Sequence, residues 1–179
     1  MSAAVDEDLI EHIGRRAENL FRSKQFMCTE SVLLAVAKGL GRDIAEETAI
    51  ALSAPFSDGM GGSGCTCGAL SGGLMSIGLC LGGGRHIGQR RRARRFSKEL
   101  HHRFTGRFRS ACCRVLTKKV REDPKRHFNQ CAAITGTTAR MTARLILEQE
   151  QGLADLRDLD FLKDRHTVIG GLLKRMVAS

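Results

Sequence analysis

Apolar residues recur along this chain at the spacing of helix faces. Leu9, Ile13, Ala17 and Leu20 stand three or four positions apart and predict a first helix over about residues 5–22. Val32, Leu33, Val36 and Leu40 predict a second, beginning near Cys28 and stopping at Gly39 and Gly41. Asp43, with Glu46 three positions on, has the form of a capping box for a third helix that Pro55 ends. Residues 59–64, Gly-Met-Gly-Gly-Ser-Gly, are too rich in glycine for a helix and predict a loop. Leu70, Leu74, Ile77 and Leu81 then mark one stripe of a helix over 67–81. Beside that stripe Gly68, Gly72 and Ser76 form a ridge of small residues on which another backbone can come close.

After the glycines at 82–84 the pattern resumes. Phe96, Leu100 and Phe104 give the inner face of a basic helix over about 87–105, with Gly106 as its stop. A short element covers 108–116. Asp123-Pro124 is an N-cap and first-turn pair for a long helix to about residue 148, in which Gly136 predicts a kink. The tail, 153–177, reads as one or two amphipathic helices with Val168, Leu172 and Met176 on one side. No repeat and no clear linker appears. The expectation is an all-α, single-domain bundle of about six to eight helices, with 1–150 as its body and 151–179 as an extension that packs on it or serves a homodimer.

Composition supports that class. With 42% apolar residues the chain can bury a core, and with two prolines, no Trp and no Tyr it lacks the residues favoured in strands and their turns. Charge is concentrated rather than spread. Residues 85–121 hold 14 Lys and Arg against the single acid Glu99, so this stretch carries more than the whole net charge of +10. The longest uncharged run, 59–84, contains eleven glycines and no apolar stretch of the ~20 residues a spanning helix needs. The first residues lack the basic-then-apolar layout of a signal peptide. A cytoplasmic protein is expected, and its seven cysteines then point to thiol, metal or redox chemistry rather than a disulfide framework.

Position separates those cysteines. Cys67 lies where the glycine loop becomes a helix, and Cys28 also opens a helix; unpaired N–H groups and a positive dipole there favour a thiolate. Cys131 faces the core side of its helix. Cys80 and Cys112 read as small buried hydrophobes. There is no Cys-x-x-Cys pair, Cys65-Thr-Cys67 is a weak chelate, and adjacent Cys112 and Cys113 bridge with difficulty. Only one of His101 and His102 can point inward, and His86 and His127 have no motif around them. Arg90, Arg91, Arg92, Arg94 and Arg95 form either a solvated helix face or a nucleic-acid or acidic-partner surface. No aromatic stands among them on the outer face for base stacking.

Residues 64–72, Gly-Cys-Thr-Cys-Gly-Ala-Leu-Ser-Gly, contain Cys-Gly-Ala-x-x-Gly, with Cys67 as its cysteine. Upstream stands Phe26-Met-Cys28-Thr-Glu-Ser-Val-Leu-Leu; downstream, Phe104-Thr-Gly-Arg-Phe108-Arg-Ser110-Ala-Cys-Cys113-Arg-Val-Leu116, and then Cys131. Together they resemble the C_GCAxxG_C_C family of redox-active proteins over about residues 11–149. The resemblance implies a helical domain in which Cys28, Cys67, Cys113 and Cys131 are redox-active or bind a cluster. The module also resembles that of split-Soret cytochromes, but the Cys-x-x-Cys-His motifs that carry their haem are missing, so no covalent haem is expected. Met27 in place of Asn, Arg109 in place of Gly, and the extra Cys65, Cys80 and Cys112 depart from the pattern.

The leading expectation is therefore an iron–sulfur cluster held by Cys28, Cys67, Cys113 and Cys131, with Cys65 as an additional ligand candidate and an unidentified redox partner. The alternative keeps the cysteines and drops the metal: Cys67 becomes the catalytic nucleophile, with a thiol pKa below the ordinary ~8.5. Zinc at the same residues is a weaker variant. Nucleic-acid or acidic-partner binding by the basic helix is the least favoured.

Overall fold

The computed structural model describes residues 5–82 and 84–170. These residues form nine α-helices, two 3-10 turns and no β-strand, the all-α architecture that the apolar spacing predicts. The count exceeds eight because three of the helices are only one or two turns long.

Helix α1 (Glu7–Arg22) opens where the Asp6 carboxylate accepts the Leu9 N–H (2.9 Å) and buries Leu9, Ile13, Ala17 and Leu20. Helix α2 (Cys28–Gly39) is buried almost all round and is the central helix. It is followed by α3 (Glu46–Ser53) and a single turn, α4 (Ser57–Met60), in which Asp58 and Gly59 are left-handed and loop-like. Helix α5 (Gly68–Leu81) packs along α2, and α6 (Ile87–Phe108) lies over α5 through buried Phe96, Leu100 and Phe104. After the short α7 (Cys113–Thr117), Asp123 caps α8 (Pro124–Leu147), which runs against α1, α2, α5 and α6. The chain then returns across α1 through α9 (Leu159–Lys163): Leu162 is buried, and Asp164 accepts two hydrogen bonds from the buried guanidinium of Arg16.

Two local expectations need correction. The third helix starts at Glu46 after Ala45, without a side-chain cap; the glutamate that reaches back belongs to α2, where Glu30 accepts the Met27 N–H (2.7 Å). Gly106 does not stop α6. The helix runs on until Arg109 turns left-handed at φ 68, because packing of Phe108 against Phe104 (ring centroids 4.7 Å) outweighs one exposed glycine. Gly136 lies inside α8, which runs on through it as one helix. It serves close approach: a Cβ there would stand 3.1 Å from the Gly14 carbonyl of α1. Of the tail stripe, Val168 is exposed, and Leu172 and Met176 lie outside the described residues. No helix among the described residues is long and apolar enough to cross a membrane.

Candidate functional site

Two chain segments are pinned together by an isolated antiparallel bridge between Thr66 and Cys112. The Cys67 N–H bonds the Ala111 carbonyl (2.8 Å), and the Cys113 N–H bonds the Cys65 carbonyl. The bridge sets the N-terminus of α5 beside that of α7. A loop with left-handed Asp58, Gly59 and Met60 closes over the pair (φ 52, 70 and 65). Gly59 is required there, since a Cβ would lie 2.6 Å from Cys113 Cβ.

Around this junction lies a cavity of about 320 Å³. Cys28 from the first residue of α2, Cys67 before α5, Cys113 at the start of α7 and Cys131 in α8 all line it. Phe21, Phe128, Leu116 and Ile134 supply its apolar wall, and Asp58 and His127 also face it. Phe21 and Phe128 stack at 5.1 Å. Helix α7 is held in place by Gln130 of α8, which donates to the Leu116 carbonyl (2.6 Å).

Burial governs the four thiols. It pushes Cys67 and Cys131 up to about 12 and Cys113 up to about 11, and it raises Cys28. The neighbours add to this: Cys28 and Cys113 both raise Cys67 and Cys131, and the Asp58 carboxylate raises Cys113 and Cys131; at Cys28 the Asp58 N–H lowers the thiol more than that carboxylate raises it. The first-turn N–H groups of Leu70 and Ala69 act in the opposite sense at Cys67. They are outweighed, so the lowered pKa expected of Cys67 at a helix start is not obtained; desolvation exceeds the pull of the helix terminus. Burial thus favours the protonated thiol at all four.

The remaining cysteines stand elsewhere. Cys65 is exposed and lies outside the cavity lining, Cys112 donates its S–H to the Gly64 carbonyl (3.1 Å), and Cys80 is buried towards the far end of α5. Among the described residues, no three His, Cys, Asp or Glu side chains gather closely enough to hold a single metal ion. A compact zinc cage, with Zn–S bonds of about 2.3 Å, is therefore absent from this geometry. In sequence His127 has no motif around it and Asp58 is not singled out, yet both line the site. The spacing of His127, four positions before Cys131 in one helix, was the signal that could have found it.

A model of the family described as "Putative redox-active protein (C_GCAxxG_C_C)" matches residues 26–145. The chain belongs to this family. The glycines of its Cys-Gly-Ala-x-x-Gly segment have steric work to do in the site. A Cβ on Gly68 would fall 2.5 Å from Cys28 Sγ and from Thr29 Oγ1, and one on Gly72 would fall 2.4 Å from the Thr29 carbonyl oxygen. In this C_GCAxxG_C_C protein the small ridge of α5 thus lets α2 come near enough for Cys28 and Cys67 to share a cavity. Neither the curated proteins nor the solved structures contain a match to the chain.

Proposed function

We propose that this chain is a cytoplasmic redox protein in which Cys28, Cys67, Cys113 and Cys131 together hold an iron–sulfur cluster for electron transfer or redox sensing. One observation carries the proposal: four cysteines from separate elements converge on a single apolar cavity that the other three do not line. The donors fit such a group, being all soft sulfur. A cavity of about 320 Å³ lined by all four leaves room for a group larger than a lone cation. When bound, a cluster supplies one-electron chemistry at a potential set by charge, hydrogen bonds to sulfur and exposure.

The protein's own contributions follow from the surrounding atoms. Loading must displace protons from thiols raised by burial, so affinity grows with pH. The N–H groups of Ala69 and Leu70 at Cys67, and that of Asp58 at Cys28, favour negative charge on sulfur. Phe21, Phe128, Leu116 and Ile134 limit water. Anaerobic purification with iron and sulfide analysis tests the proposal. With no Trp or Tyr, the chain absorbs little near 280 nm, so a cluster band will stand clear. Protein that stays colourless and iron-free after reconstitution overturns it.

A second reading is favoured by the nearness of two thiols. Cys28 Sγ stands 2.5 Å from the Cβ position of Gly68, the residue after Cys67, and Cys28 lies near enough to help raise the Cys67 thiol. In this reading Cys67 and Cys28 become a disulfide, losing two electrons and two protons to a partner disulfide that is reduced to two thiols. Peptide mapping after mild oxidation, with Cys67→Ser as control, decides it; absence of any bridge to Cys67 rejects it.

A further inference from the structure

A second cleft, of about 590 Å³, opens where the end of α6, α7 and α8 meet. Arg107, Arg109, Lys118 and Lys119 stand around it, all exposed. None of them pairs with a carboxylate among the described residues. Two other cations of α6 are neutralised, Arg92 by Glu150 and Arg103 by Glu99 and Glu148. The floor is apolar and includes Val115, a valine left 58% exposed. Leu116 and Ile134 line this cleft and the cysteine cavity alike, so one layer of side chains separates the two. Arg109 adds an independent sign. It holds a left-handed backbone, φ 68, that glycine adopts freely and a Cβ resists, yet it places a cation at the cleft.

We propose that this cleft docks the acidic face of a partner electron-transfer protein. An apolar centre ringed by unpaired charge is the anatomy of a protein interface, and complementary charge steers and orients such a partner. Docking here would bring the partner's redox group to the thin wall of Leu116 and Ile134; the electron gained on one side is the electron lost on the other, and no atom is transferred. That electron-exchange half rests on the redox reading above, whereas the docking half stands on charge and shape. A nucleic acid fits less well. The cations surround a short cleft, not a track, and Phe108 is turned partly into the core against Phe104. The arginines at 90–95 lie about 20 Å or more up the helix axis and form a separate surface.

The experiment uses a fluorescein-labelled acidic peptide, rich in Glu and Asp around a central Leu pair, and follows its anisotropy with the full chain. Saturable binding is expected, weakening about tenfold in the double variant Arg109→Glu, Lys119→Glu and falling as salt rises. Arg91→Glu with Arg94→Glu should leave it within about twofold. Arg109→Gly should raise the unfolding midpoint while weakening the peptide, separating a docking role from a structural one. No binding, binding lost only on reversal of the 91 and 94 arginines, or tighter binding of a DNA duplex at the cleft overturns the proposal. Iron and sulfide are measured on the same samples. Colourless protein that binds the peptide drops the cluster and keeps the docking surface; loaded protein that ignores the peptide does the reverse.

Discussion

At Gly68 one hydrogen atom separates a formed site from a blocked one. Alanine there would drive its Cβ to 2.5 Å from Cys28 Sγ and Thr29 Oγ1, and to 3.1 Å from the Phe56 carbonyl. Something must move, and the sulfur is the most mobile of the three. Gly68→Ala should therefore cost about 1–3 kcal/mol in a urea titration, and it should expose the Cys28 thiol to faster alkylation. An unchanged midpoint together with unchanged Cys28 reactivity would contradict that packing. The thiols also tie stability to pH. Cys67 is raised from an unfolded value of 9.0 to about 12, so below about pH 9 both states keep the proton and stability is full. Between pH 9 and 12 the unfolded chain ionises while the folded thiol does not, and stability falls as pH rises. Urea midpoints from pH 8 to 11 should decline less steeply in Cys67→Ala than in the parent chain; parallel declines would show that Cys67 is not the buried acid described.

Two glycines in neighbouring helices show what an element can and cannot reveal through its pattern. Gly106 was expected to end α6, yet the helix passes through it, and nothing stands within 4 Å of its Cβ position. Gly106→Ala should thus stabilise by about 0.5–1 kcal/mol. Gly72→Ala, on the helix next to it, meets the Thr29 carbonyl at 2.4 Å and should destabilise by about 1–3 kcal/mol. Opposite signs in chemical denaturation are the expected outcome; two losses would mean that α6 does end early. The small-residue ridge of α5 and the inward line of Phe96, Leu100 and Phe104 were legible because period 3.6 is a local property. The extent of α6 was not, because it depends on Phe108 packing against Phe104 beyond the glycine. The raised thiol of Cys67 is not legible for a related reason: the helix terminus is visible in sequence, but the aromatic and aliphatic wall that desolvates it comes from α1, α7 and α8.

At the scale of the whole molecule, the cavity has no element to itself. Its cysteines come from α2, the start of α5, α7 and α8, and its wall adds Phe21 from α1. Of these parts α7 is the weakest, a five-residue helix held by the Thr66–Cys112 bridge and by Gln130. A ligand bound by all four cysteines would cross-link α7 to the central helices, so binding free energy would appear as stability of the entire bundle. A group that binds only the folded chain stabilises it by about 2.7 kcal/mol at a hundredfold excess over its Kd. For a domain of this size that is a rise of about 5–10 °C in midpoint. Anaerobically reconstituted protein should melt higher by this amount than chelator-stripped protein, in a single transition. Cys113→Ser should lose most of the rise while leaving the stripped protein's midpoint nearly unchanged, because Cys113 is only half-buried. Superimposable melts of loaded and stripped protein would mean that no group bridges the four elements. A rise that survives Cys113→Ser would place the ligand on α2, α5 and α8 alone.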